Sequence, residues 1–133
     1  MTKIVEEKIR CANCGQKFKI GLYHSINATI NPELKAKIRK GEINVFPCPK
    51  CGTLHKISAP LLYNDMEKKV MVSVNPGSER SEKKEILDDL KKQLEPIRYI
   101  FEEDGYNFDV VFSLEELNKK YLDKEVIGID YSN

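Results

Sequence analysis

Four cysteines in two pairs are the residues of this 133-residue chain whose types and spacing could do chemistry. Each pair has the form Cys-x-x-Cys-Gly, and a gap of 33 residues (48 − 14 − 1) separates them: Cys11 and Cys14, then Cys48 and Cys51. Such a tight turn directs two thiolates toward one point, and the glycine lets the chain leave it at positive φ. Two such turns predict four thiolates around one structural zinc ion per chain.

Two other chemistries use the same residue types. Four thiolates also bind iron or an iron–sulfur centre, and a Cys-x-x-Cys at a helix N-terminus performs thiol–disulfide exchange. The residues after the pairs, GQKFKI and GTLHKI, are typical of strands, which favours zinc and leaves a thiol redox sensor as the second alternative function. A shell of four cysteines has no open coordination position, so we expect a structural metal whose binding is coupled to folding.

No second set of residues has a recognisable catalytic arrangement. The sequence has no glycine-rich phosphate loop, no HExxH motif and no convincing Ser-His-Asp set, so catalysis has no support from the sequence and we predict no catalytic residues. The two histidines are His24 and His55. His55 follows Cys51 by four residues and could approach the metal, but four cysteines complete the shell. We therefore expect both histidines to be ordinary strand or surface residues.

Charge is distributed unevenly along the chain. Residues 1–60 carry 11 Lys/Arg and 4 Asp/Glu (11 − 4 = +7), whereas residues 61–133 carry 11 and 17 (11 − 17 = −6). A basic half attracts phosphates or acidic partners, so nucleic-acid binding is the first alternative function. Its candidates are cations with interleaved aromatic rings: Lys17, Lys19, Lys35, Lys37, Arg39, Lys40, Lys50, Lys56, Phe18, Tyr23 and Phe46. The simpler interpretation is that the halves attract each other or are both solvated.

The patterns around the cysteines predict an antiparallel β module with one inserted helix. We expect strands in IVEEKIRC and QKFKIGLY around the first pair, and in INVFPC and HKISAPLLY (55–63) around the second. Between them, Asn31 as N-cap, Pro32 at the first helical position and Gly41 after the last turn predict a helix over about residues 32–40. This helix accounts for a gap longer than the usual one of about 15–20 residues.

The second half of the chain predicts a hairpin followed by a long helix. Alternating valines predict a strand over 69–75 that pairs with 55–63 as an antiparallel hairpin. Apolar residues at helical spacing predict a helix over about 79–94, ended by Pro96: Ile86, Leu87, Leu90 and Leu94. Its apolar stripe is expected to pack on the sheet, and dimerisation through it is the alternative.

The segment IRYIFEEDGYNFDVVF has two interpretations. Asp104-Gly105 favours a hairpin turn, and a short helix from Pro96 to Glu103 is the competitor. Ser113 and Glu116 have the spacing of a capping box and predict a C-terminal helix. The expected fold is α+β: a zinc-ribbon-like antiparallel β module with a short inserted helix, extended by a β-hairpin and two C-terminal helices.

The compartment follows from the N-terminus and the thiols. MTKIVEEKIR has no apolar stretch typical of a secretory signal, and no run approaches the roughly 18 apolar residues of a membrane span. We therefore expect a cytoplasmic protein with reduced thiols and no membrane partner. The expected partner is an unidentified protein or ligand, with a homodimer as a further possibility.

The sequence resembles the CpXC domain of bacteria and archaea, which has two cysteine pairs. The resemblance rests on SINATINPELKAKIRKGEINVFPCPKCG and APLLYND, with matching positions at Asn27, Pro32, Glu33, Leu34, Lys35, Gly41, Asn44, Phe46, Leu61, Leu62, Tyr63 and Asp65. It is specific over about residues 9–75. The first pair has Ala12 where the family has proline, which ligates nothing and leaves the metal assignment intact.

This resemblance implies one CpXC-like domain over residues 1–133, with a zinc-ribbon half (1–60) and an α+β extension (61–133). It implies a zinc module and names no reaction. Polar and aromatic residues within it are candidates for a binding cleft: Tyr23, Asn27, Asn44, Tyr63, Asn64 and Asp65. The alternative is turn chemistry, in which Asn and Asp satisfy local backbone groups.

Overall fold

A long antiparallel hairpin carries the first cysteine pair at its tip. The structure, a computed structural model, describes residues 2–94 and 105–122. Strand β1 (Lys3–Arg10) pairs with strand β2 (Lys17–Asn27) along its whole length. Burial alternates along β2, with Ile20 and Leu22 buried and the intervening glycine exposed. This alternation is the period-2 pattern that the sequence predicts for a half-buried strand.

The hairpin continues into a five-stranded mixed sheet. The other strands are β5 (Leu61–Asp65), β6 (Val70–Val74) and β7 (Asn107–Val111), and the order across the sheet is β1-β2-β5-β6-β7. β5 and β6 form the predicted antiparallel hairpin, whereas β2 pairs with β5, and β6 with β7, in parallel. Each parallel pair needs a crossover connection, and the first of these includes the second cysteine pair.

The second cysteine pair lies between two short strands of a separate sheet. β3 (Val45–Pro47) pairs with β4 (Leu54–Lys56) in an antiparallel ribbon. The prediction of one strand over 55–63 is wrong, because the segment divides between this ribbon and β5. Pro60 has no backbone N–H to donate to a continuous ladder, and the N–H of Ile57 already bonds to the backbone oxygen of Asn44.

The inserted helix is confirmed, but its start differs from the prediction. Helix α1 (Glu33–Arg39) has Pro32 at its N-cap position. The predicted cap, Asn31, instead accepts a hydrogen bond from the hydroxyl of Thr2. The C-terminal prediction is correct, because Gly41 has φ +71° and its N–H donates to the carbonyl of Ile38. This contact satisfies one of the last carbonyls of the helix.

Two further helices cover the sheet within the described residues. A 3₁₀ turn (Arg80–Glu82) leads into α2 (Lys83–Gln93), as predicted over 79–94. Helix α3 (Leu114–Leu117) continues as a π-helical turn (Asn118–Leu122). The hydroxyl of Ser113 caps α3 by accepting from the Glu116 N–H, but the Glu116 carboxylate accepts from Phe112 and binds Arg80 instead of returning to Ser113.

The hydrophobic core lies between this sheet and helices α1 and α3. Its buried members come from β2, α1, β5, β6, β7, α3, the π-helical turn and the loops beside them: Ile26, Ala28, Leu34, Ile38, Ile43, Leu61, Tyr63, Val72, Val74, Val111, Leu117 and Leu122. Leu34 and Ile38 are the two residues that helix α1 buries, as its spacing predicts. The β3–β4 ribbon contributes no side chain to this core.

Two predictions fall outside the described residues. The choice between a hairpin and a helix over 97–105 concerns residues of which the structure describes Gly105 alone, and Pro96 is also outside. The strand expected after this segment is β7. Among residues 2–94 and 105–122, each helix is too short or too polar to cross a membrane.

Asp109 on β7 binds side chains of α2 and of the π-helical turn, and these contacts predict a pH effect. Burial opposes its ionisation, but hydrogen bonds from Tyr121, Lys83 and Lys120 lower the pKa of Asp109 to about 2. A depressed folded-state pKa contributes stability that is present above the unfolded value near 4 and is lost as pH falls toward 2. We expect roughly 1–2 kcal/mol of unfolding free energy to disappear over that interval.

Denaturant unfolding at pH 7, 4 and 2.5 measures this effect. The Asp109→Asn variant is expected to be less stable at pH 7 and to lose less stability on acidification. Asp88→Asn, an exposed position on α2, is the matched control and should leave the pH profile of the original protein unchanged. If the unfolding free energies of the original protein and Asp109→Asn fell equally with pH, the attribution of the effect to Asp109 would be wrong.

Candidate metal centre

The two cysteine turns have the same backbone geometry. In the first, the N–H of Cys11 donates to the carbonyl of Gln16 and the N–H of Gly15 donates to the carbonyl of Cys11, at 2.9 and 2.8 Å. In the second, Cys48 donates to Thr53 and Gly52 donates to Cys48, at 2.8 and 2.9 Å. Both glycines have φ +79°, a conformation that costs little without a Cβ. The predicted pair of turns is therefore confirmed.

These turns bring the four sulfurs into one cluster. All four Sγ atoms lie within 4.8 Å of one another. The gap from Cys11 to Cys51 is 3.6 Å and that from Cys14 to Cys48 is 3.5 Å, so each of these contacts joins one hairpin to the other. The four residues are free thiols. In the part of the chain that the structure describes, neither histidine belongs to the cluster.

The dimensions of the cluster fit a tetrahedral metal ion. A Zn–S bond of about 2.3 Å places the corners of a tetrahedron about 3.8 Å apart. The two gaps between the hairpins, 3.5 and 3.6 Å, are slightly shorter than this value. Thiolate donors select soft or borderline cations such as zinc over magnesium or calcium. Cys11, Cys14, Cys48 and Cys51 could therefore hold one such ion.

The surroundings of the cysteines shift the pKa values of Cys14 and Cys51 in opposite directions. Hydrogen bonds with the Thr53 hydroxyl and backbone and with the Asn13 amide lower the pKa of Cys51 to about 5. The backbone N–H of Gln16 lowers the pKa of Cys14, but burial and contacts with the other three sulfurs raise it to about 11. A cation that binds all four sulfurs must therefore displace the proton that the raised pKa of Cys14 retains.

Aromatic packing supports the cluster from the side of the strands. The ring of His55 on β4 packs against Phe18 on β2, with centroids 5.9 Å apart. The expectation that His55 is an ordinary strand residue agrees with this contact. Phe18 is half-buried in it, so its ring is not a free stacking face for a nucleobase.

Asn44 joins the β3–β4 ribbon to the long hairpin, and the sequence does not reveal this function. Its side chain accepts from the N–H of Tyr23 at 2.9 Å and donates to the Tyr23 carbonyl at 3.3 Å. Asn44 is 3% exposed and has φ +57°, a left-handed conformation. Asparagine tolerates this conformation better than most residues. A side-chain amide thus replaces a neighbouring strand beside Tyr23, and its two hydrogen bonds are called here the Asn44 clamp.

Asn44→Ala is expected to lower the unfolding free energy by about 3 kcal/mol. It leaves the partly buried N–H and C=O of Tyr23 without their side-chain partner and places a Cβ without a polar group in the left-handed region. Asn44→Gly is the matched variant, because it removes the same two hydrogen bonds without the conformational strain. We expect it to be less destabilising than Asn44→Ala by about 1 kcal/mol in chemical denaturation. Equal stability of both variants and the original protein would contradict the clamp.

Asn27 and Asp65 shape two turns at the other end of the sheet. The Asn27 carboxamide accepts from the N–H groups of Thr29 and Ile30. Asp65 is 2% exposed; its carboxylate accepts from two backbone N–H groups of the following turn and binds Lys35 at 2.9 Å. Lys35 is therefore used inside the fold rather than on a basic surface.

The candidates for a binding cleft serve mainly within the fold. Asn27, Asn44 and Asp65 are buried and bonded to neighbouring backbone groups, and Tyr63 is a core residue. Tyr23 packs against that core. Asn64 accepts from the hydroxyl of Tyr106. Turn chemistry, the alternative interpretation, accounts for the backbone contacts of Asn27 and Asp65, whereas Asn44 bonds to the distant backbone of Tyr23.

Comparison with known proteins agrees with this architecture. The profile of the CpXC protein family matches residues 9–125, most of the chain and both cysteine pairs. No curated protein and no solved structure matches the chain. Positions that carry the family resemblance have structural functions here, from the Asn44 clamp to the Lys35–Asp65 ion pair. The chain belongs to the CpXC family.

Proposed function

We propose that this chain is a cytoplasmic zinc-stabilised binding module. One zinc ion per chain would be held by Cys11, Cys14, Cys48 and Cys51 in a closed structural site. The observation that carries this proposal is the convergence of four thiols from two hairpin tips, with sulfur gaps of 3.5 and 3.6 Å across the hairpins. Four protein ligands leave no position for substrate or water, so the ion organises the fold.

The small size of the β3–β4 ribbon supports a structural role for the ion. The β3–β4 ribbon has three residues in each strand and contains no buried strand residue. An isolated two-stranded ribbon is marginally stable at best in water. A metal bound between the two tips would fix the ribbon against the long hairpin, although the ribbon has no hydrophobic core of its own. The module would then present a rigid surface to a protein or another ligand.

Elemental analysis of the purified protein, combined with thiol titration, tests the metal assignment. We expect one zinc per chain and four thiols that become reactive only after chelation or denaturation. Pro49→Ala is the matched control, because the first turn already has alanine at the corresponding position. It should retain the metal, whereas Cys51→Ser should lose it.

Two outcomes would overturn the assignment. A folded chain with four free reactive thiols and no metal would remove the structural site. Detection of iron in place of zinc would reject the zinc assignment, and the four cysteines would then be an iron site. Recovery of the fold on addition of zinc to the chelated protein would support the proposal.

A further inference from the structure

Four cations form a compact block on the hairpin that leads to the first cysteine pair. In the β1–β2 register Lys8 lies opposite Lys19, and Arg10 lies opposite Lys17. Residues two apart on a strand point to the same face, and directly opposed residues share it. These four exposed residues, Lys8, Arg10, Lys17 and Lys19, are called here the cationic face.

This arrangement is unfavourable for the fold on its own. Like charges directly opposite each other in an antiparallel pair are destabilising, and the cationic face contains two such pairs in succession. Within the described residues, the ion pairs include one member of the face, Lys19, at 3.4 Å from Glu6. Both side chains of that pair are more than half exposed, at 64% and 70%. Such a pair holds its cation only weakly.

Acidic residues are absent from the two segments of the sequence that carry the cysteine turns. Residues 8–32 and 43–64, which include both cysteine turns, contain six Lys/Arg and no Asp or Glu. A zinc ion with four thiolates carries −2 (+2 − 4). It offsets two of these six charges, and Glu6 beside Lys19 and Glu115 beside Lys56 offset two more (6 − 2 − 2 = +2). The metal end therefore stays cationic. The positive charge of the N-terminal half is therefore concentrated here.

The composition of the cationic face indicates the class of partner. Its opposite side carries Ile9 and Phe18, which are paired in the register, and the Phe18 ring packs against His55 of the ribbon. The cationic face itself therefore points away from the ribbon and has no aromatic anchor among its four residues. Protein interfaces need apolar or aromatic anchors at their centre, whereas nucleic-acid interfaces are polar and strongly positive.

We propose that the cationic face binds the phosphate backbone of nucleic acid. A two-stranded ribbon fits the major groove of a DNA duplex, and lysine and arginine contacts to phosphate supply sequence-independent affinity. This inference rests on the proposed binding role and not on the identity of the metal. Zinc content is therefore measured alongside, so that loss of the metal site is distinguished from loss of nucleic-acid binding.

Fluorescence anisotropy with a labelled duplex DNA and the zinc-loaded protein tests the inference. Four phosphate contacts predict a salt slope of about −3.6, which weakens binding roughly 150-fold between about 50 and 200 mM salt. Replacing all four cations of the face by glutamine should abolish most of the affinity and of the slope. Because the four side chains are exposed, zinc content and thermal stability should be retained.

A charge-matched variant separates the face from net charge. Glutamine at four other exposed lysines removes the same charge elsewhere: Lys84, Lys91, Lys92 and Lys119. This control should bind DNA nearly as well as the original protein. Equal loss in both variants, no binding at about 50 mM salt, or stronger binding of a polyglutamate peptide of equal charge would overturn the inference.

Discussion

Replacement of Cys48 by alanine is expected to abolish metal binding and to separate the second cysteine turn from the first, while the bonds of Asn44 to Tyr23 still join the ribbon to the long hairpin. Cys48 is buried and lies 3.5 Å from Cys14 across the cluster. Structural zinc sites contribute about 10–16 kcal/mol of binding free energy, which equals or exceeds the stability of an ordinary domain. The β3–β4 ribbon has no buried strand residue that could compensate.

Loss of the metal should nevertheless leave the five-stranded sheet folded. The core cluster contains no cysteine and is built around β5, β6 and the helices. Hydrogen exchange in the presence of a chelator should therefore show that the backbone amides of Cys48 and Gly52 lose their protection. The amide of Val72 in the five-stranded sheet should keep its protection. Pro49→Ala, with all four ligands intact, should exchange like the original protein. Loss of protection throughout the sheet would show that the two parts do not fold separately.

Asp65→Ala is expected to lower the unfolding free energy by about 3–5 kcal/mol. The carboxylate is 3% exposed and its partner Lys35 is 16% exposed, at 2.9 Å. Truncation removes the carboxylate that binds the largely buried Lys35 ammonium group. It also removes the acceptor for the backbone N–H groups of Glu67 and Lys68. Both losses act on the same turn, which joins β5 to β6.

Two matched variants separate these contributions in urea denaturation. Asp65→Asn keeps an oxygen that can accept the turn hydrogen bonds but removes the charge, so its loss should be smaller than that of Asp65→Ala. Glu6→Ala breaks an ion pair between exposed side chains, with Lys19, and should cost less than about 1 kcal/mol. A loss from Asp65→Ala as small as that from Glu6→Ala would contradict the importance of the buried pair.

Local signals made part of this structure predictable. The Cys-x-x-Cys-Gly spacing predicts both turns, because two ligands and a left-handed glycine are determined by neighbouring residues. Alternating valines predict β6, helical spacing predicts α2, and Gly41 predicts the end of α1. In each case the deciding contacts lie within a few residues of the signal.

Contacts between distant residues account for what the sequence did not reveal. The segment 55–63 reads as one strand, but its first residues pair with the neighbouring β3, whereas its last residues join the main sheet beside the distant β2. Asn31 has the residue type of an N-cap and bonds instead to Thr2. The Asn44 clamp on Tyr23 and the Lys35–Asp65 pair connect residues more than 20 positions apart, for which a single sequence carries no local signal.

The parallel pairing of β2 with β5 has a consequence for the order of folding. Hairpins β1–β2 and β5–β6 each join neighbouring segments, which form within microseconds. Ser25 pairs with Leu62, however, across 37 residues (62 − 25) of chain, and distant pairings of this kind slow folding. A metal ion bound at the hairpin tips would shorten that path to 22 residues, 11 (25 − 14) on one side and 11 (62 − 51) on the other. The ion would thus speed the step that joins the two halves of the sheet as well as stabilise the finished fold.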